Sequence, residues 1–224
     1  MTARTAMSTS PEPLLSRALK EAARRAPEPG AHPDPYRERI LIAAAEQFRA
    51  RGIRRSSMDD VARRAGISRI TVYRRFATKT ALVEELLLGE LRDYVAEFRR
   101  VVAGQTTGEG RLVEGFVASL RAARGNRLVA GLLAADPEAV VPMLTTGGGP
   151  VLGAIRDFVA GQLGRDQRDG LIPATVDTRL VGEVVARLAL SFLVTPDSHV
   201  DLDDDDQVRC FTRTVVGPLI AAPG

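Results

Sequence analysis

Arg69, Ile70 and Arg74 fall about one helical turn apart in the stretch Ser68-Arg69-Ile70-Thr71-Val72-Tyr73-Arg74-Arg75, with hydroxyls at Ser68, Thr71 and Tyr73 among them. An arginine can offer two N–H groups at once to guanine O6 and N7, which gives about 1–3 kcal/mol of discrimination per good pair. Hydroxyl, ammonium and guanidinium groups also suit phosphate oxygens, which position a protein on DNA without selecting a sequence. On these grounds Arg69 and Arg74 are candidate base readers. Ile70 is open to two readings: packing on a thymine methyl, or tolerated apolar surface.

Such side chains work only on a helix held at a fixed angle to the duplex, and the flanking residues are suited to hold one. Ser57 and Ser68 are each placed to accept a backbone N–H as N-caps, and Asp60 follows Ser57 by three, as a capping box requires. Gly66 stands where the first short helix must stop and reverse, and Ile67 then offers an apolar side chain to the space between the helices. Two capped helices around a three- or four-residue turn form a helix-turn-helix, which lays its second helix in the major groove. Val61, Ala62, Ile67, Val72 and Phe76 are expected inside this unit, while Arg54, Arg55, Arg63 and Arg64 read as solvated or loosely phosphate-facing surface.

Charge supports the same end of the chain. Residues 36–79 hold twelve Arg or Lys against four Asp or Glu, a net +8, while residues 80–224 sum to −6 and the whole chain to +3. Because Lys and Arg bind DNA by releasing counterions, a basic head on an acidic body favours DNA at one defined end. The chain's 29 arginines against two lysines reveal a compositional bias that weakens a basic patch as sole evidence.

Other chemistry finds little support. His32, His199 and Cys210 lie in three separate contexts, so neither a triad nor a metal cluster is expected, and no cofactor. Gly147-Gly148-Gly149-Pro150 precedes a helix but lacks the Lys-Ser or Lys-Thr of a phosphate loop, and reads as a hinge. The acidic run 201–206 sits where the last helix should begin, so dipole compensation is favoured over a metal site. No stretch approaches the apolar span of about 20 residues that a membrane helix needs. The N-terminus lacks the order of a signal peptide, and the single cysteine allows no internal disulfide, so a cytoplasmic location is expected.

The remaining pattern is helical, with nothing reading as a strand. Residues 1–33, carrying prolines at 11, 13, 27, 29 and 33, read as a disordered arm with a possible short helix from about 13 to 25, whose Arg24 and Arg25 could touch phosphate. A helix is expected from Pro35 to Arg51, capped by Asp34; another starts after Thr78 and runs to about 103. Others are expected over about 110–124, 127–135, 137–144, 150–165, 178–195 and 205–221, with Asn126, Asp136 and Asp177 as caps. The expected organisation is an arm (1–33), a helix-turn-helix head (34–82) and a helical body (83–224).

Residues 36–88 closely resemble the TetR family of bacterial transcription regulators, through Phe48 and Gly52, Ser57-Met58-Asp59-Asp60-Val61-Ala62, Ala65-Gly66-Ile67-Ser68, Thr71-Val72-Tyr73, Phe76, Lys79 and Thr80-Ala81-Leu82. The resemblance implies an all-α protein of about nine helices or more: a three-helix DNA-binding head and a C-terminal ligand-binding and dimerisation domain. It implies phosphate contacts from Thr71, Tyr73, Arg75 and Lys79, with Ser57 and Ser68 beside them. Arg74 and Arg75 stand where most members carry an aromatic residue, which suggests a G-containing half-site.

The resemblance further implies a homodimer through the last two long helices, where Leu180, Val184, Val185, Leu188, Phe192, Phe211, Val215 and Leu219 are candidate interface residues. Two heads about 34–36 Å apart would then meet a palindromic operator. It implies a small-molecule effector in the body, with Phe98, Phe116, Leu120, Leu132, Leu133, Met143, Leu144, Phe158 and Phe192 as candidate walls; the low aromatic content favours an apolar ligand. The expected function is a ligand-responsive repressor rather than an enzyme, with a sequence-indifferent DNA-coating protein as the alternative.

Overall fold

The computed structural model describes residues 34–126, 130–131, 138, 141–142, 145–146 and 149–221. The arm, the Asp136-Pro137 pair and the candidate walls Leu132, Leu133, Met143 and Leu144 lie outside the described residues. Among the described residues every regular element is helical: α1 (Pro35–Arg51), α2 (Met58–Ala65), α3 (Arg69–Arg75), α4 (Lys79–Ala103), α5 (Gly108–Gly125), α6 (Gly149–Arg168), α7 (Thr178–Val194) and α8 (Asp205–Val215). Residues 130–131, 138 and 141–142 are helical too. No described helix is long and apolar enough to cross a membrane.

The helix starts follow from capping side chains. Asp34 accepts from the backbone N–H of Tyr36 and Arg37 at 3.0 and 3.2 Å, and Ser57 and Asp60 form the full reciprocal box at the start of α2. Thr78, Asp177 and Asp204 cap α4, α7 and α8 in the same way. α5 begins two residues earlier than the apolar pattern predicted, because Thr107 Oγ1 accepts from Gly110 N at 3.0 Å. The final helix, expected to run to about 221, ends at Val215 and continues as a single 3-10 turn, Gly217–Ile220. Pro218 explains this: it has no N–H to donate, and its ring would strike the carbonyl four residues back.

Two buried clusters divide the molecule. The first joins α1, α2, α3 and the start of α4 through Ile40, Phe48, Val61, Val72, Phe76 and Leu82. The turn that lets α2 and α3 share this core is made at Gly66, whose φ of 63° lies in the left-handed region that favours glycine. The second cluster joins α5, α6, α7 and α8 through Phe116, Leu120, Leu163, Val181, Val185 and Val208. α4 belongs to both units, with Leu82 and Leu86 packed into the head core and its buried Phe98 set against Phe158 of α6.

Candidate nucleic-acid interface and body cavity

α3 is amphipathic over barely two turns. Val72 is fully buried and Phe76, its C-cap, is 3% exposed, which seats the helix on α2. Ser68, Arg69, Ile70, Tyr73 and Arg74 are exposed. Ile70 is 80% exposed, an unusual position for an isoleucine on a folded unit. Positions 70, 73 and 74 share one face because residues three and four apart are neighbours on a helix. Ser68 Oγ accepts from Thr71 N at 3.2 Å and lies 2.9 Å from the Thr71 hydroxyl, so both hydroxyls also serve the start of α3.

Long-range polar contacts fix this face relative to the head. Arg75 donates through Nε and Nη2 to the two carboxylate oxygens of Asp34, at 2.8 and 3.2 Å, and stacks over the Tyr36 ring. The Arg75 guanidinium, followed by the capped backbone N–H groups, holds the Asp34 carboxyl below its usual range. Lys79 Nζ donates to the carbonyls of Ile53 and Ser56 at 2.9 and 3.0 Å, tying the start of α4 to the α1–α2 loop. Arg39 donates to the Ala65 carbonyl at 2.8 Å beside the Gly66 turn. Arg75 and Lys79, expected toward phosphate, thus have their cationic groups engaged within the head. Arg64, expected on loosely facing surface, donates to Gln47, a buried side chain within reach of Ser56. Arg69 pairs across the turn with Asp59.

A small, partly open cavity of about 60 Å³ lies between α4, α5, α6 and α7 of the body. Of the candidate ligand walls, Phe98, Phe116 and Phe158 line it, together with Leu112, Ile155 and Val159. Leu120 and Phe192 are not on its wall; Phe192 packs edge-on against Phe211 of α8, with ring centroids 5.3 Å apart. Tyr94, Phe98 and Phe158 form a three-ring cluster, the last two with centroids 4.9 Å apart.

Polar groups missed in the sequence stand at the cavity's edges. Ser119 donates to the Gly115 carbonyl at 2.6 Å, which leaves its oxygen to accept from Tyr94 Oη at 2.8 Å. Burial pushes the Tyr94 hydroxyl up to about 12. Asp166, 1% exposed, accepts from Arg111 at 2.7 Å and Gln162 at 3.1 Å. Gln162 and Asp166, one turn apart on the inner face of α6, were the available signal. A larger open cleft of about 510 Å³ is bordered by the pairs Arg121–Asp205 and Arg124–Asp203. Its ion-paired rim suits an apolar ligand less well than the aromatic cavity does.

Contact between body and head is close. A Cβ on Gly131 would lie 3.1 Å from both Cα and O of Arg49 in α1, so body backbone meets head backbone there. On α7, α8 and the turn after it, Leu180, Val215 and Leu219 are 62%, 46% and 42% exposed. Val184, Leu188, Phe192 and Phe211 are half-buried, whereas Val185 is buried and lines the cavity of its own chain.

Comparison with known proteins agrees along most of the chain. Residues 40–86 match the model for bacterial regulatory proteins of the tetR family, and residues 109–213 match the C-terminal domain of the bacterial tetracyclin repressor. The HTH-type transcriptional regulator UidR of Escherichia coli strain K12 is 28% identical over 192 residues, covering 84% of this chain and 94% of that one. The HTH-type transcriptional repressor KstR2 of Mycobacterium tuberculosis is 37% identical over 86 residues, 38% of this chain and 43% of its own length. Among solved structures, the TetR family repressor AlkX of Dietzia sp. superposes with a TM-score of 0.55 at 25% identity, covering 85% of this chain and 97% of that one.

Proposed function

The chain belongs to the tetR family of bacterial regulatory proteins, and from that premise we propose that this DNA-binding transcriptional regulator is a repressor that holds a palindromic operator as a homodimer until a small apolar effector enters its body. The observation that carries the reading is the α3 face: Arg69, Ile70, Tyr73 and Arg74 exposed together on a helix anchored by its buried side. Arg69 and Arg74 read bases, and Ile70 rests against a base edge. Ser57, Ser68, Thr71 and Tyr73 meet phosphate. Arg75 braces α3 through Asp34, and Lys79 has one N–H left to offer phosphate after its two carbonyl bonds.

We take residues 34–82 as the head and 83–224 as the body. The partner subunit would cover the apolar side chains left exposed at Leu180, Val215 and Leu219. A cavity of 60 Å³ lies well below the roughly 300–1,000 Å³ of ligand pockets, so an effector must displace Phe98 or Phe158 to enter. The Tyr94–Ser119 pair gives such a molecule one polar anchor. Its work on duplex DNA places the protein in the cytoplasm.

Enrichment of duplexes from a random-sequence pool, followed by footprinting on the enriched sequence, tests this. A short protected palindrome is expected. Uniform protection of all DNA would favour the sequence-indifferent alternative instead. Repeating the footprint with metabolite extracts should find a fraction that releases the complex.

A further inference from the structure

Arg69 is the first residue of α3, where a cation is out of place. The N-terminal end of a helix carries partial positive charge and favours anions. Asp59, in the first turn of α2, reaches across to it, with Oδ2 2.9 Å from Arg69 Nη1. Capping does not need this acid. Asp60 already accepts from Ser57 N and Oγ, at 3.0 and 2.6 Å, and pairs with Arg63. The Arg69 side chain stays 68% exposed, and a pair so open to solvent adds little to stability. Its effect lies in where it directs the guanidinium.

We propose that Asp59 is a specificity-determining positioning residue, which holds Arg69 toward the base edges and keeps it off the phosphate backbone. This rests on Arg69 as a base reader. An unrestrained arginine at the head of α3 can turn to the nearest phosphate on any sequence, gaining affinity by counterion release without discrimination. A carboxylate 2.9 Å away offsets that gain and repels the phosphate itself. Against an uncharged guanine edge the same carboxylate costs less, and it leaves the guanidinium plane oriented for the two acceptors. Asp59 thus weakens binding to all DNA, and weakens it most where no guanine is offered.

The test measures binding to the duplex that the wild-type protein enriches from a random pool and to a shuffled duplex of the same composition. It compares wild type, Asp59→Asn, Arg69→Ala and the double variant. Asp59→Asn should tighten binding to the shuffled duplex and steepen its log–log salt slope by about 1. Preference for the enriched duplex should fall about fivefold. In the Arg69→Ala background, Asp59→Asn should leave preference unaltered. A single Asp59→Asn variant that keeps full preference, or one that loses it equally without Arg69, overturns the assignment to Asp59. If Arg69→Ala alone costs no preference, the reader role of Arg69 fails, and this proposal with it.

Discussion

Replacing Lys79 with methionine separates two tasks that a single cation could perform. The variant keeps the aliphatic stem but removes two charge-assisted hydrogen bonds, to Ile53 O and Ser56 O at 2.9 and 3.0 Å. Bonds of this kind contribute about 1.5–3 kcal/mol each, and half-burial with water access to the freed carbonyls puts this pair at or below the low end of that range, about 2–3 kcal/mol together. Because the head has its own buried cluster, that loss should show as local opening, making the slowest-exchanging α2 amides about 30 to 150 times faster in native-state hydrogen exchange. The salt slope of operator binding should fall by no more than about 1, the share of the remaining N–H. Unchanged α2 protection, with the slope still lower, would refute the clamp and return Lys79 to phosphate contact alone.

Arg74→Ala should cost about 1–3 kcal/mol on the enriched operator and relax preference at one base pair, read by binding to a panel of single-substitution duplexes; equal loss on every duplex would remove it from the base readers. In the homodimer proposed above, Leu180→Glu, at a side chain 62% exposed in the single chain, should leave the fold intact and shift sedimentation from dimer to monomer, since it would bury a charge in an apolar contact; unchanged sedimentation would remove Leu180 from the interface. The Tyr94 hydroxyl, raised by burial from 10.0 to about 12, favours the fold fully below pH 10, and that contribution drains away as pH rises through the folded value. Over that window wild type should lose about 2–3 kcal/mol more than Tyr94→Phe in paired denaturant titrations; parallel curves would mean that the hydroxyl is solvated.

What was legible in the sequence was what is local. Asp34, Ser57, Ser68, Thr78 and Asp177 are caps by residue type and spacing, and Gly66 could be placed because few other residues tolerate its backbone angles. The exposed face of α3 followed from the spacing of Val72 and Phe76 against Arg69, Ile70, Tyr73 and Arg74. Contacts made across long separations were not legible. Asp34 and Arg75 are 41 residues apart, and Lys79 lies 26 and 23 residues from its two carbonyls. An arginine beside a DNA-facing helix carries the same sequence signal whether it points outward or back into its own unit.

The body repeats the pattern. Arg111 and Asp166, 55 residues apart, meet at the cavity's edge. Val185 and Leu188 share an apolar stripe and one buried cluster but not the same burial: Val185 is buried and lines the cavity, whereas Leu188 is half-buried at the cluster's edge. A wide stripe says that a helix is covered on two sides without saying by what.

Pinning the head at Asp34, Ala65, Ile53 and Ser56 has a mechanical corollary. On the ligand-responsive function proposed above, a unit tied at so many points would move as one piece, and a signal from the body would reach DNA as a swing of that wedge on the rod α4, 25 residues long. Such a rod spans about 37 Å, and a tilt of about 10° at its far end would carry the wedge about 6 Å. That is half of a major groove about 12 Å wide, enough for a small angular change to unseat the reading helix while every contact inside the wedge stays whole.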